Sequence, residues 1–211
     1  MIQVCDPPRT RQVRRLSAEE FCLLARRETS SIYRPYSEVL RMLTAGEGWG
    51  ICAERGVPLA AQVVLPLDAD TEAAQAMRAC VGWRGVAGGY LLTPPVGAAE
   101  DAELVCAAAA RAKKLARGRP VRAVLENTAP AQQLALYLQQ GFVLHALRPL
   151  SGIAPCFVLT AGKKTLPAEP MWIPLEDRAR LALALAKGYA ARHSRRCGAE
   201  LLLALYPVQK D

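Results

Sequence analysis

Between Ala99 and Arg117 the sequence contains neither Gly nor Pro, and Ala fills nearly half of the positions. Ala is the strongest helix former, so this stretch predicts one long helix. Glu100, Asp101 and Glu103 sit at its start, and Arg111, Lys113, Lys114 and Arg117 crowd its end, with Gly118 behind them. Acids first, bases last and a closing glycine is the order that the helix dipole favours. Leu104, Val105, Ala108, Ala112 and Leu115 recur at helical spacing and give the helix one face to bury. Val86–Thr93 before it reads as a strand stopped by Pro94-Pro95, and Val121–Leu125 after it reads as a second strand. Strand, helix, strand within so short a span is a βαβ unit, which places the two strands parallel and side by side. A helix that starts just past a strand also offers free N–H groups to an anion.

The chain then runs Leu125-Glu126-Asn127-Thr128-Ala129-Pro130 and Leu136-Tyr137-Leu138-Gln139-Gln140-Gly141-Phe142. This run resembles the second conserved block of the GNAT acyltransferase superfamily, in which a strand end leads into a helix carrying Tyr, with Gly-Phe four and five residues later. Tyr137, Gly141 and Phe142 match, and the preceding strand–loop–helix lies where the family holds acetyl-CoA. In order of elements the resemblance spans roughly residues 1 to 160; its specific part is 86–142.

The resemblance implies a mixed α/β, GNAT-like fold and transfer of an acyl group, acetyl first, from acetyl-CoA to a small-molecule or peptide amine. It implies that backbone groups of Tyr90, Leu91 and Leu92 hold the pantetheine arm. Backbone N–H groups of Val96, Gly97, Ala98, Ala99 and Glu100 would then receive the pyrophosphate, with Asn127 also on the cofactor. Tyr137 is implied as the acid that serves the leaving thiolate, and its other reading is a structural tyrosine. Glu126 is implied as the base, and its other reading is a cap for the next helix; Glu54 is a further base candidate. The family loop usually carries Gln or Arg, then Gly, then Gly or Ala, where this chain has Val96, Ala99 and Asp101. Glu100 and Asp101 place two carboxylates near a pyrophosphate site. A second function class therefore stays open, a binding or regulatory module on an acyltransferase scaffold.

The rest of the chain adds context. Its 211 residues suit one domain or one domain with an extension, read here as 1–161 and 162–211. Val13–Glu28 should contain the first helix, with Ser17 and Glu20 as a capping box, and Tyr36–Leu43 predicts a second. In the family such a helix pair covers the acceptor, so Tyr33, Arg34, Tyr36 and Glu38 are candidate lining residues. Trp49–Glu54 and Leu59–Leu65 predict a hairpin, Thr71–Ala79 a short helix and Val143–Leu147 a strand. His145 in that strand reads as a packed or hydrogen-bonded residue before a catalytic one. Leu175–His193 predicts an amphipathic helix in an extension that packs on its own domain or on a second subunit, as in a homodimer; Ala199–Tyr206 reads as strand or helix.

The net charge is +8, and residues 111–122 carry six bases and no acid. This cluster reads as a helix end balancing its dipole or as a polyanion contact. No aromatic residue interleaves with it, which argues against single-stranded nucleic acid. Seven scattered cysteines without a CxxC pair and only two histidines give no zinc pattern. No apolar run long enough to span a membrane and no signal peptide are read, so the expectation is a cytoplasmic protein without a membrane partner.

Overall fold

A computed structural model describes residues 11–26, 36–53, 56–81, 88–97, 102–150, 153–162 and 169–208. The chain runs β1 (Gln12–Arg15), α1 (Ala18–Ala25), α2 (Tyr36–Ala45), β2 (Glu47–Cys52), β3 (Pro58–Pro66), α3 (Glu72–Val81), β4 (Tyr90–Leu92), β5 (Val96–Gly97), α4 (Ala102–Ala116), β6 (Val121–Glu126) and α5 (Ala131–Gln139). It continues with β7 (Phe142–Leu150), β8 (Ile153–Ala161), β9 (Met171–Pro174), α6 (Arg178–Ala186), β10 (Tyr189–Cys197) and β11 (Glu200–Pro207). All strands join one sheet in the order β1-β2-β3-β4-β6-β8-β7-β10-β11-β9, with β5 beside β3.

The βαβ unit forms as the sequence implies. β4 and β6 are parallel neighbours, Tyr90 opposite Val121 and Leu92 opposite Ala123, and α4 bridges them. The other strand pairs are antiparallel. The helix pair α1–α2 precedes this unit and the β7–β8 pair follows it, so the fold is mixed α/β, as expected.

Two cores sandwich the sheet. On one face Val105, Ala108, Ala109 and Ala112 of α4, Leu134, Tyr137 and Leu138 of α5, and Leu181 and Leu185 of α6 pack on Val64, Leu92, Ala123, Leu125 and Phe157. On the other, Phe21 and Cys22 of α1, Val39 and Met42 of α2, and Ala74 and Met77 of α3 pack on Ala61, Val63, Leu65, Val124 and Val158. Alternate residues of β3 and β6 serve opposite cores, the period of two that a strand imposes.

Several sequence expectations change at element boundaries. The first helix lies within Val13–Glu28, as expected: Gln12–Arg15 pairs with β2, and α1 begins behind Ser17, whose hydroxyl accepts from Glu20 N–H while the Glu20 carboxylate accepts from Ser17 N–H. The capping box was legible; its position sets the helix start, so the residues before it are free to join the sheet edge. The extension, expected to be helical, is mostly strand. Its helix stops at Ala186 because Gly188 takes a left-handed φ of 86°, which returns the chain as β10; residues 200–207 become β11. β10 meets β7 at Ala191 opposite Leu144, and Leu201, Leu203 and Leu205 join the α4–α5 core. The extension thus packs on its own domain and lengthens the sheet.

Candidate functional site

The parallel β4–β6 ladder ends at Leu92 and Ala123, but β6 runs on to Glu126, paired only with β8. β4 instead bends into Thr93-Pro94-Pro95 and re-pairs with β3 as β5, Gly97 opposite Ala60. The neighbouring strands therefore part, and this opening is the candidate site. Tyr90, Leu91 and Leu92 sit inside the ladder between β3 and β6, so the open edge begins one residue beyond them. Val96 and Gly97 were expected in a pyrophosphate loop and lie in a strand. Gly97 has φ 81°, and a Cβ there would overlap the Leu59 carbonyl. Ala98, Ala99, Glu100 and Asp101 lie outside the described residues, as do Glu54, Tyr33 and Arg34.

Thr93 N–H donates to Val63 O at 3.1 Å, and the Thr93 hydroxyl accepts from Val63 N–H at 3.1 Å. Pro94 and Pro95 have no N–H. The continuation of β4 through Pro95 thus brings no free backbone donor to the opening.

Tyr137 is fully buried and meets Phe142 edge-on, with ring centroids 5.4 Å apart. Its hydroxyl accepts from Gln62 Nε2, which also donates to Thr93 O at 2.6 Å. The Thr93 carbonyl can only accept, so it fixes which end of the Gln62 amide faces it. The phenol oxygen is then an acceptor, and among the described residues nothing takes its proton. Burial pushes the Tyr137 phenol well above its usual range, against a smaller opposing effect of Gln62. Gln62 Oε1 is itself buried without a partner. Gln62 was missed at the sequence level, although it is the one polar side chain in Leu59–Leu65, an otherwise apolar strand.

At the β6 side of the opening stand Glu126 and Asn127, both half-buried. Glu126 is not the N-cap residue of α5: that position is held by Pro130, which makes no side-chain capping hydrogen bond. Asn127 donates its N–H to Pro155 O at 2.8 Å, and its Oδ1 is buried without a partner. Arg178, the first residue of α6, reaches Asn127 from the extension. Its Nη2 donates to Asn127 O at 3.2 Å, and its guanidinium lies 4.9 Å above the Phe157 ring. Burial lowers its pKa, partly offset by Glu176.

Other candidates have structural duties. Glu38 is buried and accepts from Glu72 N–H at 2.6 Å, from Ala73 N–H at 3.5 Å and from Arg41 Nη1 at 3.2 Å. It therefore holds the N-terminus of α3 against α2. Four of the six clustered bases are engaged: Arg111 grips Glu47 in a fork, Lys113 donates to Gln140 O, Arg119 to Ala116 O and Arg122 to Thr160 Oγ1. This favours the structural reading of the cluster. His145 is exposed; the surrounding protein and the charges of Arg122 and Arg192 lower its pKa. No cluster of metal-ligating side chains occurs among the described residues, and none of their helices is long and apolar enough to cross a membrane.

No protein-family model matches the chain, and no curated protein matches it. Among solved structures it is similar to a GNAT superfamily phosphinothricin acetyltransferase from Sinorhizobium meliloti in complex with AcCoA. That likeness has 16% identity and a TM-score of 0.48, and covers 76% of this chain and 94% of the other.

Proposed function

We propose that the protein is an acyl-CoA-dependent N-acyltransferase that moves an acetyl group from acetyl-CoA to an amine. The observation that carries this reading is the phenolic proton of Tyr137, held uncommitted where β4 and β6 part. An acylated pantetheine arm brings amide N–H groups, amide carbonyls and a thioester. The opening supplies complements: buried acceptors at Gln62 Oε1 and Asn127 Oδ1, and a phenol donor at Tyr137. The residues fit the cosubstrate in this respect.

In the reaction the amine nitrogen bonds to the acyl carbon, the carbon–sulfur bond breaks and the amine loses a proton. Glu126, at the open end of β6, takes that proton directly or through water. Tyr137 donates a hydrogen bond to the departing sulfur. A phenol raised above its usual pKa is a weaker acid than a thiol, so Tyr137 stabilises the thiolate by hydrogen bonding more than by giving up its proton. Tyr90, Leu91 and Leu92 shape the floor of the opening. Val96 and Gly97, with Ala98, Ala99 and Glu100 after them in the sequence, precede α4, and a helix N-terminus favours the pyrophosphate.

Calorimetric titration of the protein with acetyl-CoA, beside free CoA, tests the reading. Micromolar binding is expected, followed by turnover when amines are screened. No binding at millimolar cosubstrate would overturn it in favour of a scaffold that binds a partner without catalysis.

A further inference from the structure

On the side of α5 away from Tyr137, the helix meets the C-terminal extension across a cleft of about 450 Å³. That volume falls within the range of small-molecule sites. Gln132, Leu136 and Gln139 recur at helical spacing and form one wall; the other belongs to β10 and β11. Opposite residues of paired strands share a face of the sheet. Ser194 lies opposite Leu203 and Arg196 opposite Leu201, and both leucines are buried in the core that α5 shares. Ser194 and Arg196 are therefore turned toward α5. Arg195 also borders the cleft, but its guanidinium is turned to the other face of the sheet, 4.1 Å from the centre of the Trp172 ring.

The charge of this cleft has one sign. The α5 helix carries no charged residue, and β10 carries three arginines and no acid. Glu200, the acid of the β10–β11 hairpin, lies opposite Cys197 and so on the face of Arg195. Among the described residues Arg196 makes no ion pair, and the side chains of Gln132, Gln139 and Ser194 make no hydrogen bond. An uncompensated guanidinium selects an anion, and its fork matches the paired oxygens of a carboxylate or a phosphate. Gln132 and Gln139 stand about 10 Å apart along the helix, so the cleft has room for a body behind the anionic group. Leu136 and Leu201 give that body an apolar floor.

We propose that the cleft between α5 and the β10–β11 hairpin is a second ligand site, for a small organic oxyanion: a carboxylate or phosphate ester on an apolar body. The oxyanion accepts from the Arg196 guanidinium and the Ser194 hydroxyl. The body lies on Leu136 and Leu201, between the two glutamine amides. The site is built by the extension and stands whether or not acetyl-CoA binds at the β4–β6 opening.

The test titrates the isotope-labelled full chain with phenyl phosphate and with phenylacetate, and follows the side-chain amide resonances of Gln132 and Gln139. Inorganic phosphate, which lacks the body, and benzyl alcohol, which lacks the charge, are the controls. Both organic anions are expected to bind with Kd of about 1 mM or below, and both controls about tenfold more weakly. Tighter binding of phenyl phosphate would assign the site to phosphate esters, and tighter binding of phenylacetate to carboxylates. Arg196→Gln should weaken both anions about tenfold. Arg195→Gln makes the same charge change one residue away on the other face, and should leave them within about twofold. Ala135→Leu fills the cleft from α5 and should weaken both about tenfold or more without lowering the melting temperature. Equal weakening by Arg195→Gln and Arg196→Gln would mean diffuse attraction to a basic surface and would overturn the site. Displacement of the anions by acetyl-CoA would make the cleft part of a donor site and overturn it as well. So would the absence of any shift at Gln132 and Gln139 with either organic anion at about 10 mM.

Discussion

Two buried polar side chains on opposite faces of the sheet, Glu38 and Gln62, are handled in different ways. Beneath α1, α2 and α3, Glu38 is 2% exposed, and both its carboxylate oxygens are taken by α3 N–H groups and Arg41. Beneath α4, α5 and α6, Gln62 is fully buried with its carbonyl oxygen unfilled, Asn127 and Arg178 have unfilled buried atoms, and Tyr137 keeps its proton. A satisfied buried group holds elements together. An unsatisfied one costs about 1–3 kcal/mol unless a water or a ligand completes it. The contrast separates the face that holds the fold from the face that carries the proposed chemistry.

The largest effect should come from the core that joins the extension to the rest. Leu203 is fully buried among residues of the α4–α5 core. Leu203→Ala should cost about 3 kcal/mol. Urea unfolding followed by fluorescence should still show one transition, since β10, β11 and α6 share that core with α5. Two separate transitions would mean that the extension is an independent unit, and the open face would lose its sixth helix as a structural part.

Glu38→Ala tests the satisfied face. It strips α3 of its N-terminal anion and leaves Arg41 with Asp70 as its remaining acidic partner among the described residues. A loss of about 2 kcal/mol is expected, in line with loss of a buried capping group. Acetyl-CoA affinity should stay within about twofold, because the carboxylate lies on the other side of the sheet. A large fall in affinity without a fall in melting temperature would break the division between the faces.

Tyr137→Phe tests the open face. It keeps the ring that packs against Phe142 and removes only the hydroxyl. Gln62 Nε2 keeps its bond to Thr93 O, so stability should change by less than about 1 kcal/mol. If the phenol serves the departing sulfur, kcat should fall about 10- to 100-fold with KM little changed. Unchanged kcat with a competent amine would leave Tyr137 as a packing residue.

How far this division was legible in the sequence depends on the range of each interaction. The α4 helix, the βαβ unit and the Ser17–Glu20 box depend on residues a few positions apart, and they appeared where composition and spacing placed them. The parting of β4 and β6 was legible only as Pro94-Pro95, a break without a partner. Tyr137 could be named from its run, but its bond to Gln62 spans 75 positions, and no local pattern encodes such a contact. Arg178 joins α6 to Asn127 across 51 positions, and its one local sign is a cation at a helix start. Glu38 shows the reverse error. A buried acid near a proposed acceptor site invites a functional role, and its real partners, the N–H groups of α3, are 34 and 35 positions away.

The smallest expected effect concerns a satisfied pair on the open face itself. Arg111 of α4 grips Glu47 of β2 with two bonds of 2.7 Å, and Trp49 Nε1 donates to the same carboxylate at 3.1 Å. These bonds, opposed by burial, hold the Glu47 pKa at about 2, below its ordinary value of 4.5. A carboxylate lowered in the folded state adds stability above its unfolded pKa and loses it as pH falls through the folded one. Glu47→Gln should therefore destabilise the protein by about 1 kcal/mol at neutral pH, a modest figure because the pair is partly open to solvent. The difference from the unaltered protein should shrink as pH falls from about 4.5 and vanish near 2. Acetyl-CoA binding at neutral pH should not change. If it weakened, the satisfied groups of this face would belong to the site as well, and the boundary would have to be drawn around α4 as a whole.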